Sequence, residues 1–367
     1  MTFGITPTPS AFMSLKRQIS FWLACLAGFS LFLYLFSAIL TPFVAAFILA
    51  YLLDPLVDRL ERLHLSRLTA TCLVLMLFVL LFVVLLLAAA PLLLNQLSAF
   101  IARVPSYAAK LQMLMSEYGG PLFERFGGEE RLKEVQASLT SGMGEGAKWL
   151  AGLVSSLLSG GQAIIGVFSL LVLTPIIAFY VILDWDHMIS RIDGWLPLQH
   201  RSVVRQLAGE MDRSVAAFLR GQGLICLLLG LFYAVGLSLT GLHFGFLIGI
   251  MAGIISFVPY VGSLTGLIVS SGVAIAQFWP NYGMILAVLA VFGIGQFLEG
   301  NVLQPKLLGN AIGLHPVWLM FALLAFGSLF GFVGVMLAVP LAAVIGVLVR
   351  FALAQYLASP LFKGPSS

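Results

Sequence analysis

Phe257-Val258-Pro259-Tyr260-Val261-Gly262 interrupts an apolar run from about His243 to Trp279, and Gly331-Phe332-Val333-Gly334 interrupts a second from about His315 to Phe351, with Pro340 further on. Neither run fits a single straight crossing. At about 1.5 Å per residue, roughly 35 helical residues reach about 50 Å, against an apolar core of about 30 Å. Each run must tilt strongly, kink, or fold back as a hairpin. Paired apolar segments interrupted by Gly and Pro are the best sequence pointer to a transporter's binding site.

The two runs echo each other at an offset of 72 residues: Gly241-Leu242-His243 matches Gly313-Leu314-His315, Ser256 matches Ser328, and Val261-Gly262 matches Val333-Gly334. Gly221 and Gly223 match Gly293 and Gly295 at the same offset. An internal duplication is expected.

Around these runs the chain has the composition of a lipid-embedded protein. Of 367 residues, 60% are hydrophobic and 9% charged, with a mean hydropathy of +1.06. Too little polar surface remains to cover a soluble globule. Apolar runs of 20 or more residues point to an all-α, polytopic membrane protein, because a β-barrel would show alternating strands of about ten residues. The 37 glycines suit close helix packing in lipid. Cys25, Cys72 and Cys226 all lie in apolar runs, with no disulfide or metal spacing. The net charge of +4 reads as positive-inside topology and not as a nucleic-acid footprint.

Along the chain, residues 1–94 are expected to hold the N-terminal transmembrane segments. A retained first span runs from about Ile19 to Leu40, and a short apolar piece from Pro42 to Leu53 is either re-entrant or extended by the amphipathic turns after it. Arg59, Arg62 and Arg67 place the next loop inside, and a long span covers about Leu68 to Leu94. Residues 95–148 carry six acids and six bases and read as an extramembrane amphipathic helical segment, with a turn at Gly119-Gly120-Pro121 and Gly127-Gly128. Residues 149–183 form a span flexed by Gly160-Gly161 and Pro175, and 184–220 an Arg-rich cytoplasmic segment. Residues 221–356 are the transport core with its two repeats, and 357–367 a cytoplasmic tail. If the broken runs are kinked spans, the repeats are parallel and Lys306 lies outside. If they are hairpins, the repeats are inverted and Lys306 lies inside, as the positive-inside rule prefers.

Glu299 is the sharpest candidate for chemistry, because an intramembrane carboxylate is expensive and marks a functional site by default. At 100° per residue, Gln296, Glu299 and Lys306 share one helix face, while Asn301 and Gln304 share another. Lys306, or a cation from solution, is the expected partner. Glu299 then carries a proton or a cation; the plainer alternative is an interfacial Glu–Lys pair before Pro305. The break Pro259, Tyr260, Gly262, Ser263, Thr265 offers free backbone groups and three hydroxyls for a polar solute, or else is a packed kink with its hydroxyls bonded to nearby carbonyls. Gly331 and Gly334 mark the second break. His243 and His315 read as interfacial residues opening each run, since no acid or Cys accompanies them at ligand spacing. Asp184 and Asp186 read as a helix-end stop, and Asp54, Asp58, Glu61 and Arg62 as a salt-bridged helix face. HExxH, G-x-S-x-G, Walker A and GxGD motifs are all missing. No enzyme activity, cofactor or metal is expected, and transport would be passive or driven by an ion gradient.

Three motifs carry a family resemblance. They are Pro42-Phe43-Val44-Ala45-Ala46-Phe47-Ile48-Leu49-Ala50-Tyr51-Leu52-Leu53-Asp54-Pro55, Phe257-Val258-Pro259-Tyr260-Val261-Gly262-Ser263, and Glu299 to Gly309 (EGNVLQPKLLG) followed by Leu314-His315-Pro316. In their order and spacing the chain resembles the autoinducer-2 exporter family of bacterial inner-membrane proteins, also described as PerM-like permeases. Val258 stands where the family commonly has isoleucine. The resemblance implies about eight spans, in the length range of helical crossings, and secondary transport without ATP hydrolysis. It implies export of an autoinducer-2-like signal or another small polar solute, or sodium or lithium/proton antiport. It also implies homo-oligomeric assembly, with a pentamer suggested, in the cytoplasmic membrane. Both termini are expected inside. A scaffold or regulatory role through residues 95–148 is the reading from another class.

Overall fold

The structure, a computed structural model, describes residues 35–126, 161–259, 261–309 and 315–363, with isolated positions outside these ranges. The expected first span from Ile19 and the glycines at 127 and 128 fall largely outside the described residues. The described chain is helical throughout, and seven of its helices are long and apolar enough to cross a membrane.

Helix α1 (Ser37–Glu61) carries Pro42 and Pro55 within it. The apolar piece after Pro42 is thus extended by its following turns, and 25 residues reach about 37 Å. Helix α2 (Arg67–Phe126) runs for 60 residues, about 90 Å. It passes from the apolar span into the polar segment without a boundary near residue 94, and it continues through Gly119-Gly120-Pro121, where a turn was expected. Hydropathy marks where lipid ends; it does not end a helix. On the apolar half of α2, Leu73, Met76, Leu77, Leu80, Leu81, Val84 and Leu87 are exposed, as suits a face solvated by lipid.

Helix α3 (Gly161–Gly194) contains Pro175, and α4 (Arg201–Leu239) joins the Arg-rich segment to the next span as one helix. The expected boundary at residue 220 therefore lies inside α4. At the Arg-bearing end, Arg67 ties α1, α2 and α3 together. Its guanidinium lies 3.6 Å from Asp54, 3.5 Å from Glu61 and 2.6 Å from Asp186, and it donates to the Ile182 carbonyl. Arg67, and not the Arg62 expected from the sequence, is the cation these acids share.

The first broken run is a hairpin. Helix α5 (Gly245–Ile255) and helix α6 (Val261–Phe278) flank the turn at Ser256–Pro259. A Cβ on Gly262 would lie 2.2 Å from Ser256 N, and one on Gly266 2.7 Å from Ala252 Cβ. Farther from the turn, the Gln277 side chain accepts from His243 N at 2.7 Å and donates to the Gly241 carbonyl at 2.9 Å. These pairings run antiparallel along the whole length of α5. Gly245, Gly249 and Gly253 let α5 lie directly on the backbone of α4 near Leu237, Ala234 and Gly230. At the mouth of the hairpin, α2 braces it. Gln96 accepts from Leu247 N at 3.1 Å, Tyr107 Oη lies 3.3 Å from His243 Nδ1, and Phe100 packs edge-on against Phe244. Partial desolvation of this otherwise exposed residue, assisted by the neighbouring Arg103 charge, holds the His243 imidazole below its usual range.

Helix α7 (Tyr282–Leu298) follows, its N-terminus capped by Asn281. It leads through a π-helical turn (Glu299–Leu303) into the short α8 (Gln304–Leu307). The second broken run, α9 (Pro316–Ala358), is interrupted at Gly331, with φ 58° and ψ −138°. A Cβ on Gly334 would lie 1.8 Å from the Phe326 carbonyl oxygen, and one on Gly327 3.0 Å from Val335 Cγ2. Residues eight apart in a continuous helix are separated by about 12 Å, so the chain turns back sharply here. A short helix, α10 (Pro360–Lys363), ends the described chain. Each half of residues 221–358 thus repeats one order of elements: a span, then a folded pair of limbs, with the breaks at Pro259 and Gly331 and the close-packed Gly262 and Gly334 all falling at the offset of 72.

Candidate functional site

Helix α4 is the spine of the site. Its first apolar turns carry Gly221, Gln222 and Cys226, and three other elements converge there. A Cβ on Gly221 would lie 2.8 Å from the Leu307 carbonyl oxygen of α8. Gln222, 1% exposed, donates from Nε2 to the Ser256 carbonyl at 2.5 Å, which satisfies one backbone group freed at the first break. One turn on, the Cys226 carbonyl is 2.9 Å from the position of a Gly253 Cβ. Farther along, Tyr233 stacks on Phe292 of α7 at 4.5 Å, and Gly295 makes room for the Tyr233 ring. Helix α7 runs antiparallel to α4, with Val291 against Gly236, Gly295 against Tyr233 and Leu307 against Gly221, and this register places Glu299 between the Gly221 and Tyr233 levels of α4.

Glu299 is 4% exposed. Its carboxylate accepts from Gln296 Nε2 at 2.9 Å and from Gln304 Nε2 at 3.3 Å. The Tyr233 hydroxyl on α4 packs against Gly295 and is buried without a hydrogen-bond partner among the described residues. Among the described residues no cation lies within salt-bridge distance of Glu299. Lys306 is exposed, and Asn301 is exposed with its Nδ2 donating to the Phe297 carbonyl at 3.1 Å. The expected facing of Glu299 to Lys306, with Gln304 on another face, is corrected here. The cause is the π-turn: Gln304 N bonds to the Glu299 carbonyl five residues back, so position 304 rotates under position 299. Pro305 explains the turn, since it has no N–H for Asn301 and its ring would press on that carbonyl in an α-helix. Single π-turns inside helices occur frequently at functional sites.

At the first break Pro259, Gly262 and Ser263 are buried, and Tyr260 lies outside the described residues. Thr265 is exposed, and its hydroxyl donates to the Val261 and Gly262 carbonyls at 2.8 and 3.0 Å. That is the plainer of the two alternatives for this residue. Gly334 is buried against Phe326, whereas Gly331 is exposed at the bend. The structure thus joins the first break to Glu299 through α4. The second run meets the same spine through its limbs: Leu319 and Val339 pack with Phe218, Leu219, Phe257 and Leu308. Gln222, Tyr233 and Cys226 are the site residues sequence reasoning missed. Gln222 was the one with a signal, as a lone carboxamide in an apolar run.

Residues 23–354 match the family described as AI-2E family transporter. The chain belongs to the AI-2E transporter family. Among its relatives, the putative permease PerM of Escherichia coli (strain K12) is 30% identical over 335 residues, covering 90% of this chain and 91% of that one. The putative transport protein YrrI of Bacillus subtilis (strain 168) is 28% identical over 298 residues, covering 78% and 80%. The AI-2 transport protein TqsA of E. coli (strain K12) is 25% identical over 325 residues, covering 86% of each. The chain is therefore a multi-pass membrane protein of a bacterial family of transporters and permeases.

Proposed function

We propose that this AI-2E family protein is a secondary transporter of the bacterial inner membrane, exporting a small polar solute, with an autoinducer-2-like signal as a candidate, in exchange with an ion gradient. The observation that supports it is Glu299, an acid closed off from solvent between two carboxamides, on a π-turn packed against the spine of the bundle. A charged carboxylate in the apolar layer costs about 2.5–3.5 kcal/mol on insertion scales. Taking up a proton or a small cation removes that charge, so occupancy of Glu299 can bias one arrangement of the hairpins over another. Glu299 is the coupling carboxylate, Gln296 and Gln304 orient it, and the turn around Pro259, Gly262 and Ser263 lies one helical turn away by the register of α4.

The span-plus-hairpin order of the two halves supports an inverted repeat, with Lys306 and both termini on the cytoplasmic side. Alternating access then consists of the hairpins moving against α4 around the Glu299 level. Sodium or lithium/proton antiport is the second reading. It is favoured by the absence of a cationic side chain at Glu299 among the described residues, which leaves the charge to be met from solution. Homo-oligomers, a pentamer among them, are part of the same proposal. The test is a solute and cation screen in proteoliposomes, comparing wild type with Glu299→Gln. Ion-driven flux in wild type and none in the variant is expected. Equal ion-driven flux in both removes Glu299 from the mechanism.

A further inference from the structure

A second polar site lies at the Arg-bearing end of the bundle, apart from Glu299. A cavity of about 300 Å³ opens between α1, α3 and α4, with Asp54, Tyr51, Trp185, Asp212, Arg213 and Arg220 among its walls. Its volume is at the lower end of the range of ligand pockets, about 300–1,000 Å³. Two carboxylates and two guanidiniums make its formal charge zero, yet the four are not equivalent. Asp54 is already met by Arg67 at 3.6 Å and Arg220 at 3.8 Å, and Arg220 also donates to the Tyr51 carbonyl at 2.8 Å. Among the described residues, Asp212 accepts only the Tyr51 hydroxyl, at 2.9 Å, and Arg213 donates only to the Gly209 carbonyl of its own helix, at 3.0 Å. Among the described residues neither Asp212 nor Arg213 has an ion-pair partner. One acid and one base, adjacent in sequence, thus line the same cavity without an ion-pair partner, and both are exposed, at its open side. The remaining wall is apolar and aromatic, with Ala50, Ile182, Ala217 and the edge-on pair Tyr51–Trp185 at 6.0 Å.

We infer that this cavity binds a small zwitterion with a compact apolar body, of the amino-acid class. Its ammonium group meets Asp212 and its carboxylate meets Arg213, each by a charge-assisted hydrogen bond. A single anion or a single cation pairs with one of the two groups and leaves the other to water. The aliphatic body lies against Ala50, Ile182 and Trp185. The cavity and the first break meet on α4: Arg220 lines the cavity, Gly221 packs against the Leu307 carbonyl just after the π-turn, and Gln222 holds the Ser256 carbonyl. The inference rests on the transporter reading for the fate of the solute; the binding step does not need it.

The experiment is thermal stabilisation and calorimetric titration of the detergent-purified full chain with L-leucine, leucine methyl ester and N-acetyl-leucine. Saturable binding of leucine is expected, with at least tenfold weaker binding of the two singly charged analogues. Asp212→Asn and Arg213→Gln should each weaken leucine binding at least tenfold. Ala217→Val, which narrows the cavity without touching a charge, should do the same, and serves if either charge variant fails to fold. Leucine binding is read in detergent without ion gradient or flux, so a failed transport mechanism and a failed binding site are told apart. No saturable leucine binding, equal binding of all three probes, or wild-type binding by the folded variants overturns the inference.

Discussion

Gly253→Ala tests the contact on which the bundle rests. A Cβ at residue 253 would stand 2.2 Å from Gly230 Cα, 2.6 Å from Gly230 N and 2.9 Å from the Cys226 carbonyl. All three are backbone atoms of α4, so no side chain can rotate away. The shortest approach is about 1.2 Å inside the 3.4 Å at which ordinary contact begins, and α5 must move off α4 by a comparable amount. Overpacking of this kind costs about 1–3 kcal/mol, occasionally more. The displacement also draws Ser256 away from Gln222 Nε2, which then loses its acceptor inside the apolar layer. Gly293→Ala is the control, because nothing lies within 4 Å of its Cβ position. An added methyl there is expected to be neutral or mildly stabilising. Unfolding in detergent, followed by circular dichroism, should show Gly253→Ala clearly less stable than wild type and Gly293→Ala unchanged. If Gly253→Ala unfolds with the control, helices α4 and α5 are not in backbone contact and the hairpin is misplaced.

Other outcomes follow from the same geometry. Cysteines at Ala252 and Gly266 should cross-link under mild oxidation, since their Cβ positions lie 2.7 Å apart; a straight span would hold them about 21 Å apart and give no product. Gln304→Ala should reduce ion-coupled flux in proteoliposomes at least tenfold, the equivalent of about 1.4 kcal/mol, because it removes one of two donors to Glu299. Lys306→Ala should leave the same flux within about twofold, and the reverse ranking would restore the Glu–Lys pairing read from the sequence. His243 is held below its ordinary range by partial desolvation and by Arg103, so the folded state binds fewer protons there than the unfolded one. Its contribution is present above the ordinary histidine range of about 6.5 and is lost as pH falls through that range toward the depressed value. Thermal melts from pH 7.5 to 5 should fall more steeply for wild type than for His243→Asn, and parallel curves would exclude the effect.

What was legible in the sequence follows from what each signal measures. Gly and Pro at 257–262 and 331–334 disclosed both breaks, because those residues act on the backbone directly. Whether a break is a kink or a reversal was not legible. The same apolar run serves either, and the choice is made by packing of Gly245, Gly249 and Gly253 on another helix. The limits expected near residues 94 and 220 fall inside α2 and α4, because polarity changes there while the backbone bonding does not. Glu299 was legible as an acid in an apolar span. Its partners were not, since projection at 100° per residue assumes an unbroken α-helix, and the π-turn before Pro305 shifts every later position. Asp212 and Arg213 fall in the Arg-rich segment at 184–220, and both are exposed. Only the fold of α1 and α3 around them shows a cavity.

The central claim is that Glu299 couples solute movement to an ion, and one paired measurement in proteoliposomes tests it: solute accumulation against a gradient and solute exchange at equilibrium, in wild type and in Glu299→Gln. The neutral, nearly isosteric side chain keeps the packing, so exchange should persist while ion-driven accumulation disappears. Accumulation equal to wild type in the variant would contradict the account.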